Sequence, residues 1–374
     1  MPMSTWPSPA KDYSPRQSSA ADVRVAPIRL FLVDDSMVIR TLVSSWIEQE
    51  PDLELAGVAT DGAEAVQLIA GLQADVCILD LEMPIMGGLE ALPKLLRLRP
   101  ELKVLIASRL SHAGADATLR SLEAGAADYL PKPEASALHG ADGFRRELLT
   151  KVRELGRASP KGRASPGARS ARLRPVAPAS RAPEVLALAA STGGPPVLRR
   201  FLDSLPRDYQ QTVVIVQHMP SAFIELLAVQ LSKTSGVPVS VAAAGMILEP
   251  GRAYLAPGDH HLRVARRGEQ LVAEIDQGPP ENYCRPAADV LFRSVAKTCG
   301  ARTIGVVLTG MGRDGWAGAE AVTRAGGVVL AQDEATSVVW GMPGGVVEAG
   351  LASVVGPVDR LAAATLRLSK GEAP

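Results

Sequence analysis

The feature that most constrains this chain is a repeated alternation, in which a short apolar run ends in a polar residue and a segment of helical period follows. Residues 28–33 (I-R-L-F-L-V) run into Asp34-Asp35-Ser36, and the next segment sets Val38, Ile39, Leu42, Val43 and Ile47 three and four apart. That spacing puts them on one buried helical face. Strand-like runs recur at 53–58, 76–79, 104–107 and 128–130, separated by helical patterns at 63–72, 88–98 and 113–124. Strands alternating with helices predict crossover connections and an α/β fold built on a doubly wound parallel sheet. Pro131 lacks the N–H that a ladder needs, and fits only an edge or a strand end.

The alternation stops at residues 156–183, which hold seven basic residues, no acidic one and no apolar period. Such a stretch buries too little surface to offset the entropy of ordering, which predicts a flexible basic linker. Beyond it, apolar runs at 185–190, 213–216, 237–241, 253–255, 304–308 and 328–330 predict a second doubly wound parallel sheet, with helices at 221–231 and 285–297. Residues 262–264 and 271–275 flank R-R-G-E-Q and predict an inserted β-hairpin. The 374 residues therefore divide into a disordered Ser/Pro/Ala-rich tail (1–26), a first domain (27–155), the linker (156–183) and a second domain (184–371).

Composition excludes several classes. Forty basic residues balance forty acidic ones, so no global field draws the chain to nucleic acid, and no aromatic residues interleave the linker arginines. No run of about 18 apolar residues predicts membrane insertion, and no signal peptide is expected. Cys77, Cys284 and Cys299 are widely spaced, with no C-x-x-C pair. That argues against a disulfide framework or a thiolate zinc site and makes a reducing cytoplasm the expected location.

Laid on the first sheet, Asp34 and Asp35, Asp80 with Glu82, Ser108, and Lys132 all fall after strands, at one edge. Converging carboxylates repel one another, so the cluster calls for a hard divalent ion such as Mg²⁺. Singly, each acid also suits a helix cap. With the run L-D-L-E-M-P at 79–84, Gly87-Gly88, Tyr129 and Lys132-Pro133, residues 28–149 resemble the receiver domain of two-component response regulators. The resemblance implies a flavodoxin-like fold in which Asp80 accepts a phosphoryl group from a histidine kinase. It further implies that Asp34, Asp35, Asp80 and the Glu82 backbone hold Mg²⁺. Ser108 and Lys132 would contact the phosphoryl oxygens, and Tyr129 would be the switch aromatic. Phosphoryl transfer needs mainly positioning and charge neutralisation, which such a set supplies.

In the second domain Ser191 follows the run at 185–190 and precedes T-G-G-P-P, His218 follows the run at 213–216, and Asp314 follows that at 304–308. Parallel strands bring these ends to one side. A serine alcohol needs a base, and imidazole serves at neutral pH when a carboxylate fixes its tautomer. Alone, Ser191 and Thr192 serve equally as a helix cap, and the Ser-Thr-Gly-Gly turn can cradle an anion, a reading that leaves His218 and Asp314 without roles. The neighbours A-A-S-T-G are not a G-x-S-x-G elbow, and the order Ser, His, Asp differs from that of α/β-hydrolases. His260-His261 belong to the inserted hairpin and lack suitably spaced metal-ligand companions.

The runs A-S-T-G-G-P (190–195), Q-H-M-P (217–220), Y-L-A-P-G (254–258), R-P-A-A-D-V-L-F-R-S-V-A (285–296), T-G-M-G-R-D-G (309–315) and W-G-M-P (340–343) resemble the catalytic domain of chemotaxis protein-glutamate methylesterases. The resemblance spans 185–366 and implies phosphorylation-activated hydrolysis of glutamate methyl esters on chemoreceptors, with deamidation of glutamines in some members. It assigns Ser191, His218 and Asp314 as the catalytic triad and the Thr192 and Met311 loops as oxyanion donors, with no cofactor for the hydrolysis. Ala189 departs from the glycine usual there.

Overall fold

The computed structural model describes residues 26–109, 111–132, 141–157, 173–175 and 182–374. Nearly all of the expected tail at 1–26 and most of the expected linker at 156–183 lie outside the described residues.

The first sheet contains β1 (Ile28–Val33), β2 (Leu53–Ala59), β3 (Val76–Asp80), β4 (Lys103–Ser108) and β5 (Asp128–Pro131), all parallel, in the order β2-β1-β3-β4-β5. Around it lie α1 (Met37–Glu48), α2 (Gly62–Ile69), α3 (Gly88–Leu98), α4 (His112–Glu123) and α5 (Ala141–Arg157). Every residue of β3 is buried, as befits a central strand covered on both faces. Side-chain caps start the helices where the sequence leaves a strand: Ser36 Oγ accepts from the Ile39 amide, and Asp61 Oδ1 from the Ala63 and Glu64 amides. Pro131 ends the edge strand, where its missing N–H interrupts nothing.

The second domain opens with β6 (Val185–Ala190), α6 (Gly194–Asp203), β7 (Thr212–Gln217), α7 (Ser221–Thr234), β8 (Val239–Val241) and β9 (Ala253–Leu255). The hairpin β10 (His261–Arg267) and β11 (Gln270–Asp276) stands as its own antiparallel two-stranded sheet. Then come α8 (Ala288–Cys299), β12 (Thr303–Val307), α9 (Trp316–Arg324), β13 (Val328–Gln332), α10 (Gly341–Glu348), β14 (Val354–Gly356) and α11 (Val358–Ser369). The seven-stranded sheet runs β14-β13-β12-β6-β7-β9-β8 and every pairing in it is parallel. Both expected doubly wound sheets and the inserted hairpin are therefore present.

Among the elements not expected, two carry little local signal. Strand β14 is three residues long, too short for a periodic signal. Helix α10 reads G-M-P-G-G-V-V-E, against helix propensity, and is held by burial of Met342, Pro343 and Val346. The expected helix at 285–297 begins only at Ala288, after Pro286.

Neighbouring strands send their connections in opposite directions between β1 and β3 in the first sheet and between β12 and β6 in the second. Loops leaving adjacent strands diverge there and open a crevice at the carboxyl ends. The two domains pack through α4 against α6 and α7, where Leu119 and Leu122 join Leu198, Leu227 and Leu231 in one buried apolar cluster. Arg199 of α6 pairs with Glu123 of α4 at 3.0 Å, and the Tyr129 ring stacks on Phe223 with centroids 4.8 Å apart.

Candidate functional site

At the first crevice, Asp34 and Asp35 leave β1, Asp80 ends β3, Ser108 ends β4 and Lys132 follows β5. Lys132 Nζ lies 2.7 Å from both Asp34 Oδ2 and Asp80 Oδ2. Asp34, Asp35 and Asp80 each place a carboxylate oxygen within 4.8 Å of the others. Asp34 Oδ2 is buried and accepts no directed hydrogen bond, so its contact with Lys132 is an ion pair with lone-pair capacity to spare. A buried, under-used oxygen among hard donors fits Mg²⁺ better than a soft metal. Burial raises the Asp80 pKa above the ordinary carboxyl value against the opposing pull of Lys132.

Ser108 and Tyr129 both face elements that bear on the other domain. Ser108 Oγ is hydrogen-bonded to Thr118 Oγ1 of α4 at 2.8 Å. Tyr129 is buried between Phe223 and Lys151, whose Nζ stands 5.3 Å from the ring centroid. Glu82 donates its amide towards Asp80 Oδ1 (3.4 Å), while its side chain pairs with Arg109.

At the second crevice, Ser191 follows β6 directly and His218 follows β7, and the register pairs Ala190 with Gln217 just before them. Neighbouring parallel strands lie about 4.8 Å apart, so the two residues leave the sheet side by side. Asp314 comes from the loop after β12, on the other flank of β6; the Ser191 amide donates to Thr309 O of that loop at 3.0 Å. Gly193, at φ 73°, turns the chain into α6 in a left-handed conformation that favours glycine. A Cβ on Gly193 would meet Val338 Cγ2 at 2.5 Å, and one on Gly194 would meet Gln217 Oε1 at 2.0 Å. The turn is packed closed by side chains, which weakens the anion-cradle reading.

The structure joins His218 to Asp314 directly, with Nε2 and Oδ2 2.7 Å apart. Asp314 is almost wholly buried, and its Oδ2 also accepts from the Ala288 amide while Oδ1 accepts from the Asp289 and Gly315 amides and from Asn282 Nδ2. Burial alone would raise its pKa; the His218 bond and these amides outweigh that and hold it below the ordinary value. The His218 ring feels the reverse balance: burial would lower its pKa, but Asp314 and Cys284 raise it to about 10. Its other nitrogen, Nδ1, faces Cys284 Sγ at 3.6 Å, and among the described residues no hydrogen bond joins it to Ser191 Oγ.

Sequence reasoning missed Cys284, Asn282 and the amides at the start of α8. The run N-Y-C at 282–284 precedes both the expected helix at 285–297 and the family run at 285–296, so neither reading reaches it. His260 and His261 do not join the site: His260 Nδ1 bonds Gly258 O, and His261 links Pro279 O to the Ala287 amide. Thr192 is buried at the domain boundary, where its hydroxyl donates to Asp128 Oδ2 at 2.7 Å. Met311 packs against the first domain's apolar cluster together with Val338 and Val339.

Comparison with known proteins agrees with this layout. A family model described as CheB methylesterase matches residues 186–365, and one described as response regulator receiver domain matches residues 30–141. A protein-glutamate methylesterase/protein-glutamine glutaminase 2 of Caulobacter vibrioides is 48% identical over 340 residues, covering 89% of this chain and 96% of its own length. The correspondingly named protein of Maricaulis maris is 40% identical, covering 96% and 99%. The crystal structure of the Thermotoga maritima CheB methylesterase catalytic domain is 37% identical, with a TM-score of 0.49, and matches 50% of this chain and 100% of that one. With both domains in this order and such identity along nearly its whole length, the chain belongs to the protein-glutamate methylesterase/protein-glutamine glutaminase family, the phosphorylation-regulated hydrolases of chemotaxis.

Proposed function

We propose that residues 184–371 hydrolyse glutamate methyl esters on chemoreceptors with Ser191 as nucleophile, and that residues 27–155 gate this activity through phosphorylation of Asp80 by a histidine kinase. The observation that carries the catalytic half is the buried His218–Asp314 pair beside Ser191 at the switch point of a parallel sheet. Because Nε2 is committed to Asp314, Nδ1 is the nitrogen that takes the Ser191 proton. Ser191 Oγ attacks the ester carbonyl carbon, and His218 then gives that proton to the departing methoxide, releasing methanol. Water attacks the acyl-enzyme, gives a proton to His218 and frees the glutamate, and the proton returns to Ser191 Oγ. Amides of the Thr192 and Met311 loops face the oxyanion; losing one such donor typically costs about 100- to 1000-fold in rate. With glutamine the same steps release ammonia.

In the resting geometry His218 is cationic at neutral pH and its Nδ1 faces Cys284, so it must shift partner before it can act as a base. The receiver supplies the occasion. Asp34, Asp35, Asp80 and the Glu82 carbonyl would hold Mg²⁺, whose charge favours the incoming phosphoryl group; Lys132 then pairs with the phosphoryl oxygens. Ser108 would leave Thr118 to contact them, which frees α4, the helix that rests on α6 and α7. The receiver thereby loosens its hold on the Ser191 turn through Asp128–Thr192 and Tyr129–Phe223. No described helix is long and apolar enough to cross a membrane, and the reading places the enzyme in the cytoplasm, acting on the receptors' cytoplasmic parts without nucleic-acid contact.

The test is methanol release from methyl-labelled receptor membranes by the full chain, with and without the partner kinase. Release that rises with the kinase is expected; release that does not respond to it removes the gating half.

A further inference from the structure

Besides the receiver acids, one further cluster of ligand-type side chains stands among the described residues: His218, Cys284 and Asp314, each with a ligand atom within 4.8 Å of the others. Their arrangement is not that of three equal ligands. Asp314 occupies His218 Nε2, and its oxygens are already engaged by three amides and Asn282. A carboxylate on one imidazole nitrogen fixes the tautomer and strengthens the other nitrogen as a metal ligand. That other nitrogen, Nδ1, has Cys284 Sγ at 3.6 Å. A tetrahedral Zn²⁺ takes nitrogen at about 2.0 Å and sulfur at about 2.3 Å, which sets the two atoms about 3.5 Å apart. The pair already stands at that separation.

The thiol is held there by a turn. Glu281 and Cys284 exchange backbone hydrogen bonds of 3.1 and 2.9 Å, with Asn282 (φ 53°) and Tyr283 (φ 63°) at the tip. Two successive non-glycine residues in the left-handed region are costly unless other contacts hold them. Asn282 Nδ2 supplies these by donating to Asp289 and Asp314. Cys284 is half-exposed, whereas Cys77 and Cys299 are buried. The receiver site offers only oxygen, so the two sites sort hard from soft metals.

We propose that Cys284 Sγ and His218 Nδ1, completed by water, form an inhibitory site for a thiophilic divalent cation of the Zn²⁺ class, which ties up the imidazole and silences Ser191. Binding displaces two protons to solvent, one from the Cys284 thiol and one from the imidazolium Nδ1 of His218. The inhibition rests on the reading of His218 as proton carrier; the binding does not.

The experiment uses the full chain with saturating Mg²⁺, so that the receiver acids are occupied, and Co²⁺ as the spectroscopic probe. A thiolate-to-cobalt charge-transfer band is expected, displaced by Zn²⁺, lost in Cys284→Ser and kept in Cys299→Ser and in inactive Ser191→Ala. Zn²⁺ should inhibit methanol release, and its half-inhibitory concentration should rise at least about 10-fold in Cys284→Ser, each protein being referred to its own metal-free rate, since losing a ligand costs upwards of 1.4 kcal/mol. No band in the parent, or a band that survives Cys284→Ser, overturns the site. A Cys284-dependent band without loss of methanol release overturns the inhibition, and with it the role of His218, while the site stands.

Discussion

The hydroxyl of Thr192 makes the sharpest test of how the two domains are coupled. It donates to Asp128 Oδ2 at 2.7 Å from the turn that carries Ser191, and the same oxygen receives Lys151 Nζ at 2.6 Å. Thr192→Val keeps the shape and the backbone amide but removes the donor. A hydrogen bond to an ionised group contributes about 1.5–3 kcal/mol. Lys151 still satisfies Asp128, so the loss falls on domain docking rather than on the fold of either domain. If docking restrains the enzyme, the undocked population rises by roughly 10- to 150-fold. Unphosphorylated Thr192→Val should therefore release methanol faster than the parent by up to that factor, capped at the phosphorylated rate, which itself should hardly change. The assay is methanol release with and without a small phosphodonor. Asp128→Asn and the double variant complete a cycle whose coupling energy isolates this one bond. An unchanged resting rate would refute the clasp, and a parallel fall of both rates would mean that the hydroxyl serves the chemistry instead.

Three further outcomes follow from the same geometry. Ser191→Ala should keep its thermal transition and lose methanol release; turnover at the parent rate would remove Ser191 as nucleophile. Gly310→Ala should cut kcat by about 10-fold or more, since overpacking at this level forces neighbours off their positions and the new Cβ would lie 2.3 Å from Met342 Sδ and 2.9 Å from Ser191 Cβ. Receiver phosphorylation, followed by phosphodonor-dependent changes in Trp46 emission or by labelled phosphate, should be unaffected. Asp80→Asn should melt higher than the parent at pH 7. Burial raises the folded pKa of Asp80, so the folded state holds the proton more tightly and ionisation costs stability. That cost grows as pH rises from the unfolded value of about 3.9 through the folded one. The stabilisation should therefore fade below about pH 4, and a gain independent of pH would assign it to another cause. The same variant should leave methanol release unresponsive to phosphodonor.

Much of the candidate site was legible because parallel sheets convert a linear rule into a spatial one. Residues that follow buried strands gather at one edge, so strand ends alone group Asp34, Asp80 and Lys132 in one domain, and Ser191, His218 and Asp314 in the other. The short ladder of β14 and the glycine-rich α10 carried too little local signal, and burial of Met342 and Val346, not propensity, makes α10 a helix. Cys284 was dismissed because it pairs with no other cysteine; its actual companion, His218, is 66 residues away. Asn282 and the Ala288 and Asp289 amides were missed for a similar reason, since a helix start reveals its free N–H groups only when something is aimed at them.

The amino-acid sequence by itself determined that there are two doubly wound domains, which residues stand at their strand ends, and hence which chemistries are in reach, because apolar period and turn residues are local properties of the chain. Tertiary structure alone decided which nitrogen of His218 is free, that a thiol faces it, and that Asp128 of one domain grips Thr192 of the other. Those contacts depend on strand order, turn geometry and domain docking, where side chains many residues apart meet only after buried surface has chosen one packing among many.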